Sequence, residues 1–107
     1  MQDSVEITAP CPAVQFPPWF DKRCEFEMPA RGYLSDVTVK GENGNVYSVY
    51  FIDPVRLRQT LEDDAIAGKP FLAEPGMIVV PEVTVDAIQK AVAGLWREGF
   101  FEHLKPI

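Results

Sequence analysis

The chain has 107 residues and a mass of 12.0 kDa, room for one domain with one hydrophobic core. Hydrophobic residues make up 47% and charged residues 24%, a globular composition that excludes collagen, coiled coil and wholesale disorder. Sixteen acids against ten bases give a net charge of −6, which repels a phosphate backbone or an anionic lipid surface and favours encounter with a basic protein.

Apolar runs such as Met77-Ile78-Val79-Val80 fall far short of the ~20 residues a membrane-crossing helix needs, so a soluble protein is expected. The N-terminal sequence lacks the basic and continuous apolar regions of a secretory signal, and a cytoplasmic location is the expectation. Cys11 and Cys24 are accordingly expected as free thiols.

Five of the ten prolines (Pro10, Pro12, Pro17, Pro18, Pro29) fall in the first 29 residues, where they deny the backbone donors and helical continuity. Residues 1–23 therefore read as an extended Pro-rich arm of a single domain, pressing Phe16, Trp19 and Phe20 onto apolar surface. Within it Ser4–Thr8 alternates like a short edge strand. Residues 24–28 alternate Cys24, Phe26 and Met28 against Glu25 and Glu27, the period of a half-buried strand, and Pro29–Gly32 reads as the turn after it.

Residues 33–40 and 45–52 flank Asn43-Gly44, a pair suited to the central positions of a type I′ hairpin turn. That turn would pair Val39 with Ser48, Val37 with Tyr50 and Ser35 with Ile52 on the core face. Tyr47, Val49 and Phe51 would then lie on the opposite face, beneath some other element.

A helix over 54–66 starts well, with Asp53 as N-cap and Pro54 in the first helical position, and carries Leu57, Leu61 and Ala65 on one side. Pro75-Gly76 reads as a type II turn into a short strand over 77–80, expected inside the sheet. Thr84 caps a second helix over 85–98 with Val85, Ile88, Val92 and Leu95 facing inward, and Gly99 separates it from Phe100-Phe101. The class is α+β: an antiparallel meander over 24–28, 33–40 and 45–52, joined by the strand at 77–80, with both helices on one face.

Chemistry-bearing motifs are sparse. A nucleophile–histidine pair would have to use His103, the only histidine, in a terminal segment. Two cysteines and one histidine lack the number and spacing of a structural zinc site, and Glu62-Asp63-Asp64 lacks the spacing of a calcium loop. No glycine-rich loop joins a strand to a helix as a phosphate cradle would. No metal and no cofactor is expected.

The reading this leaves is a non-catalytic, acidic protein-interaction module of the inhibitor, immunity-like or adaptor kind, binding another, basic protein or a second copy of itself. Its contact surface would comprise Trp96, Phe100 and Phe101 with the acidic corner Glu62, Asp63 and Asp64. The alternative is a small-ligand-binding protein or enzyme with a dispersed site, whose wall would draw on Cys24, Glu25, Tyr47, Tyr50 and His103.

Overall fold

The structure, a computed structural model, describes residues 12–42 and 44–107. It is an α+β fold built on one mixed sheet in the order β1-β2-β3-β4, with β1 at Ala13–Gln15, β2 at Tyr33–Lys40, β3 at Val46–Ile52 and β4 at Met77–Val79. Helices α1 (Lys22–Arg31), α2 (Pro54–Ile66) and α3 (Val85–Arg97) and a 3-10 turn at Phe100–His103 complete it. The edge strand expected at Ser4–Thr8 lies outside the described residues.

Residues 24–28 are helical, a correction to the expected first strand. Asp21 accepts the Cys24 N–H at 2.9 Å as N-cap, and Glu27 is bracketed at helical spacing by Arg23 (3.1 Å) and Arg31 (2.6 Å). The period-2 apolar pattern is too short to compete with these local terms: Cys24 and Met28 turn inward on consecutive turns and Phe26 is left in solvent. Pro29 sits inside the helix, which ends at Gly32 in the left-handed region. The arm is likewise not continuous: Ala13–Gln15 pairs antiparallel with Thr38–Lys40, and α1 takes its last residues. Phe16 and Phe20 stack at 4.8 Å and pack against the core, while Trp19 remains 50% exposed.

The β2–β3 hairpin forms, but one register off the expected pairing. Gly41 N–H donates to Asn45 C=O at 3.0 Å and Gly44 N–H to Gly41 C=O at 3.1 Å, so Gly41 and Asn45 close the loop, with Gly44 at φ 83° just before its end. Moving the turn by this amount exchanges the faces of one strand relative to the other. Val39 now faces Tyr47 and Val37 faces Val49, all four buried, and Ser48 and Tyr50 leave the core face. A bulge between Leu34 and Val37, with Asp36 at φ 62°, shifts the pairing again so that Leu34 faces Phe51 and rejoins the core.

β4 pairs parallel to β3, so α2 is the crossover between them. This corrects two expectations: the strand lies at the edge of the sheet rather than inside it, and the helices do not share one face. On one face Leu34, Val37, Val39, Val49, Phe51 and Ile78 meet Met28 of α1 and Ile88 and Val92 of α3. On the other, α2 lies beside Tyr33, Tyr50 and Ile52, and none of its residues is buried. No helix among the described residues is long and apolar enough to cross a membrane.

Candidate functional site

An open apolar groove runs between β4 and α3. Its formation follows from the turn that delivers β4. Gly76 at φ 82° lies against β3, where a Cβ would come within 2.5 Å of the Ser48 carbonyl oxygen, so only glycine permits this approach. Gly76 C=O accepts the Tyr50 N–H at 3.0 Å, and Val80 N–H donates to Ile52 C=O at 3.0 Å. Residues 76 and 80 thus turn their backbone toward β3. By the two-residue repeat of a strand, Met77 and Val79 turn theirs away from the sheet, where no further strand follows among the described residues; the Met77 N–H is already taken by Glu74 C=O at 3.3 Å, which leaves the Met77 C=O and the Val79 N–H and C=O facing outward.

The second wall is α3, placed by its cap: Thr84 Oγ1 accepts the Ala87 N–H at 3.0 Å. Ile88 and Val92 bury themselves in the core, and the adjoining stripe of Ala91, Gly94 and Leu95 faces β4 across the groove. Small side chains at 91 and 94 create the concavity. Gly99 at φ 81° ends the helix and lets Phe100 close one end. The groove has a volume of about 410 Å³ and an apolar floor, with Lys90 and Glu98 at its rim and Val79 47% exposed on its strand side. Lys90 is held by Asp86 at 3.1 Å, one turn earlier on α3.

Of the residues singled out from sequence, Phe100 lines this groove. Phe101 is buried, and it joins Trp96 (5.3 Å between ring centroids) and Tyr47 (5.5 Å) in an aromatic cluster at the margin of the core. Glu62 and Asp63 are exposed on α2, and Asp64 borders the gap beneath that helix with Tyr50 and Lys69. The aromatic cluster and the acidic run therefore belong to opposite sides of the sheet.

The alternative set is also divided. Cys24 borders a cavity between α1 and β2, Glu25 is exposed on α1, Tyr47 lies in the aromatic cluster, Tyr50 is on the α2 face, and His103 is exposed in the 3-10 turn. Tyr50 donates to Glu74 at 2.5 Å; burial, and then this bond, push its phenol pKa well above the usual tyrosine value. Among the described residues no three His, Cys, Asp or Glu side chains converge as metal ligands would.

Reading the sequence did not single out Met77, Val79, Ala91, Gly94 or Leu95 as a site. One signal pointed there: Gly94 in the middle of an otherwise sound helix. No protein-family model matches the chain, and neither a curated protein nor a solved structure shows significant similarity to it.

Proposed function

We propose that this chain is a non-catalytic protein-interaction module that receives an extended, basic segment of a partner protein at the β4 edge. The observation that carries the reading is the outward-facing Met77 C=O and Val79 N–H and C=O beside the apolar groove of α3. Only an extended chain matches the spacing of a strand's outward N–H and C=O groups, and its alternate side chains would drop into the groove formed by Ala91, Gly94 and Leu95. The net charge of −6 favours a segment whose solvent-facing positions carry Lys or Arg. Phe100, from the contact surface expected on sequence grounds, closes the groove, whereas Trp96 and Phe101 support it from the core side.

The test is titration of the isotopically labelled protein with an eight-residue peptide of alternating Val and Lys, followed by amide NMR. Shifts centred on Met77, Val79 and Gly94, lost in Val79→Pro, are expected. Proline deletes the outward donor while leaving the bonds to β3 intact. The same peptide methylated at alternate backbone nitrogens should bind more weakly. A dimer formed through β4 in sedimentation velocity, with no peptide response, would replace the partner by a second copy of this chain. Unchanged affinity in Val79→Pro would remove the strand-addition reading.

A further inference from the structure

The sheet has a second unpaired edge. β1 covers β2 only at Thr38–Lys40, so the bulged stretch from Tyr33 to Val37, paired with β3 on one side, has no strand on its other side among the described residues. The C-terminus of α1 and the first turn of α2 approach this stretch instead, enclosing a cavity of about 260 Å³. Its apolar wall is Trp19, Met28 and Leu34, and its polar groups are Arg31, Ser35 and Arg56, with Cys24 and Tyr33 filling the remaining sides.

The cations in this cavity are placed by the fold. Arg56 lies with its guanidinium 5.2 Å from the centre of the Tyr33 ring and donates from Nη1 to the Arg31 carbonyl at 3.2 Å. That bond satisfies an orphan carbonyl at the end of α1 and uses one of five guanidinium donors. No carboxylate among the described residues lies within ion-pair distance of Arg56. Arg31 is paired with Glu27 at 2.6 Å, so Arg56 supplies the uncompensated charge. The nearby Asp53 is committed to capping α2, accepting the Arg56 N–H at 2.8 Å. In a chain of net charge −6, a guanidinium that lies over a ring, lines a cavity and has no ion-pair partner among the described residues offers a local attraction for an anion.

We infer that this cavity binds a small organic anion, its carboxylate or phosphate oxygens taken by the Arg56 fork and the Ser35 hydroxyl and its flat apolar body laid against Trp19, Met28 and Leu34. A guanidinium offers two parallel donors to such an oxyanion, and the volume, just below the ~300–1,000 Å³ of drug-sized pockets, suits a single ring bearing one acidic group. The bulge at Asp36 contributes by turning the local strand away from regular pairing, which keeps this edge open. The site is independent of the β4 groove: it is built from α1, β2 and α2, and the groove from β4 and α3.

The probes are phenyl phosphate, benzoate, inorganic phosphate and neutral benzyl alcohol, titrated into the full chain in phosphate-free buffer. Amide and indole NMR reads the result, because the two tryptophans report separately. Saturable shifts at Ser35, Cys24 and the Trp19 indole with phenyl phosphate or benzoate, the Trp96 indole staying still, are the expected result. Inorganic phosphate alone should bind more weakly, and benzyl alcohol should not saturate. Arg56→Gln should weaken the better anion by about tenfold or more. Because Arg56 also caps α1, Arg56→Lys serves as the second variant: it keeps the charge and can still reach the Arg31 carbonyl, but loses the fork and should bind at intermediate strength. Arg23→Gln, on the exposed side of α1, should bind as the parent does. No saturable response to any anion, shifts centred elsewhere, or undiminished affinity in a folded Arg56→Gln would overturn the inference.

Discussion

Helices α2 and α3 have the same length of 13 residues and begin in the same way, yet the fold holds them differently. Asp53 accepts from Arg56 N–H at 2.8 Å and Thr84 from Ala87 N–H at 3.0 Å, so each has a satisfied N-cap. α3 buries Ile88 and Val92 and packs Val85 and Leu95 against the core, whereas α2 buries nothing and leaves Val55 and Ile66 in solvent. Capping decides where a helix starts. The width of its apolar stripe decides whether tertiary structure holds it there.

The largest expected contrast comes from truncating one side chain on each helix. Ile88→Ala opens a cavity beneath α3 where the parent residue has no solvent exposure, and should cost about 2–5 kcal/mol in denaturant unfolding. Leu61→Ala, on the half-buried side of α2, should cost about 1 kcal/mol or less, because solvent already occupies part of its surroundings. Equal losses would mean that α2 is packed far more tightly than its exposure indicates.

A smaller effect sharpens the same contrast through the caps. Thr84→Ala and Asp53→Ala each remove one N-terminal acceptor, worth about 0.5–2 kcal/mol. The Thr84 variant should lower the midpoint of global unfolding, since α3 unfolds with the core. Much of the Asp53 variant's loss should appear as faster hydrogen exchange confined to α2, which can open while the sheet persists. In the parent protein the protected amides of α2 should already exchange faster than those around Ile88 and Val92. Protection of α2 at the level of α3 would contradict the division.

The same distinction between local and tertiary signals accounts for what could be read from sequence. Both caps, the boundaries of α2 and α3, and the break at Gly99 were legible because each is decided within a few residues. The hairpin was legible, but its register was not: Asn43-Gly44 fits a two-residue turn as well as the end of a longer loop, and only the burial of Tyr47 and Val49 chooses between them. Residues 24–28 misled because alternation over five positions fits a strand, whereas the decisive cap, Asp21, stands before them and Pro29 argues against a helix. Apart from Gly94, nothing local marked the β4 groove, and nothing marked the Arg56 cavity. Each joins segments distant in the chain, and parallel pairing of β4, which sends α2 to one face and leaves α3 on the other, leaves no local mark.

The smallest effect concerns the α2 side alone and depends on pH. Tyr50 lies under that helix beside Tyr33 (5.5 Å between ring centroids) and donates to Glu74, and its phenol pKa is raised above the ordinary tyrosine value of 10.0 by burial first and the Glu74 carboxylate second. A raised pKa means that the unfolded chain releases this proton at a lower pH than the folded chain does. The stabilisation is therefore complete below pH 10 and declines as pH rises from there toward the folded-state pKa. Ultraviolet titration at alkaline pH should show a tyrosinate step above the ordinary phenol range, absent from Tyr50→Phe. That variant should also lose part of the decline in stability above pH 10. If α2 opens locally before the core does, the late step should sharpen toward ordinary behaviour in Asp53→Ala, where the helix covers Tyr50 less of the time, and should be untouched in Thr84→Ala. A response to the α3 cap instead would place the control of Tyr50 on the wrong face of the sheet.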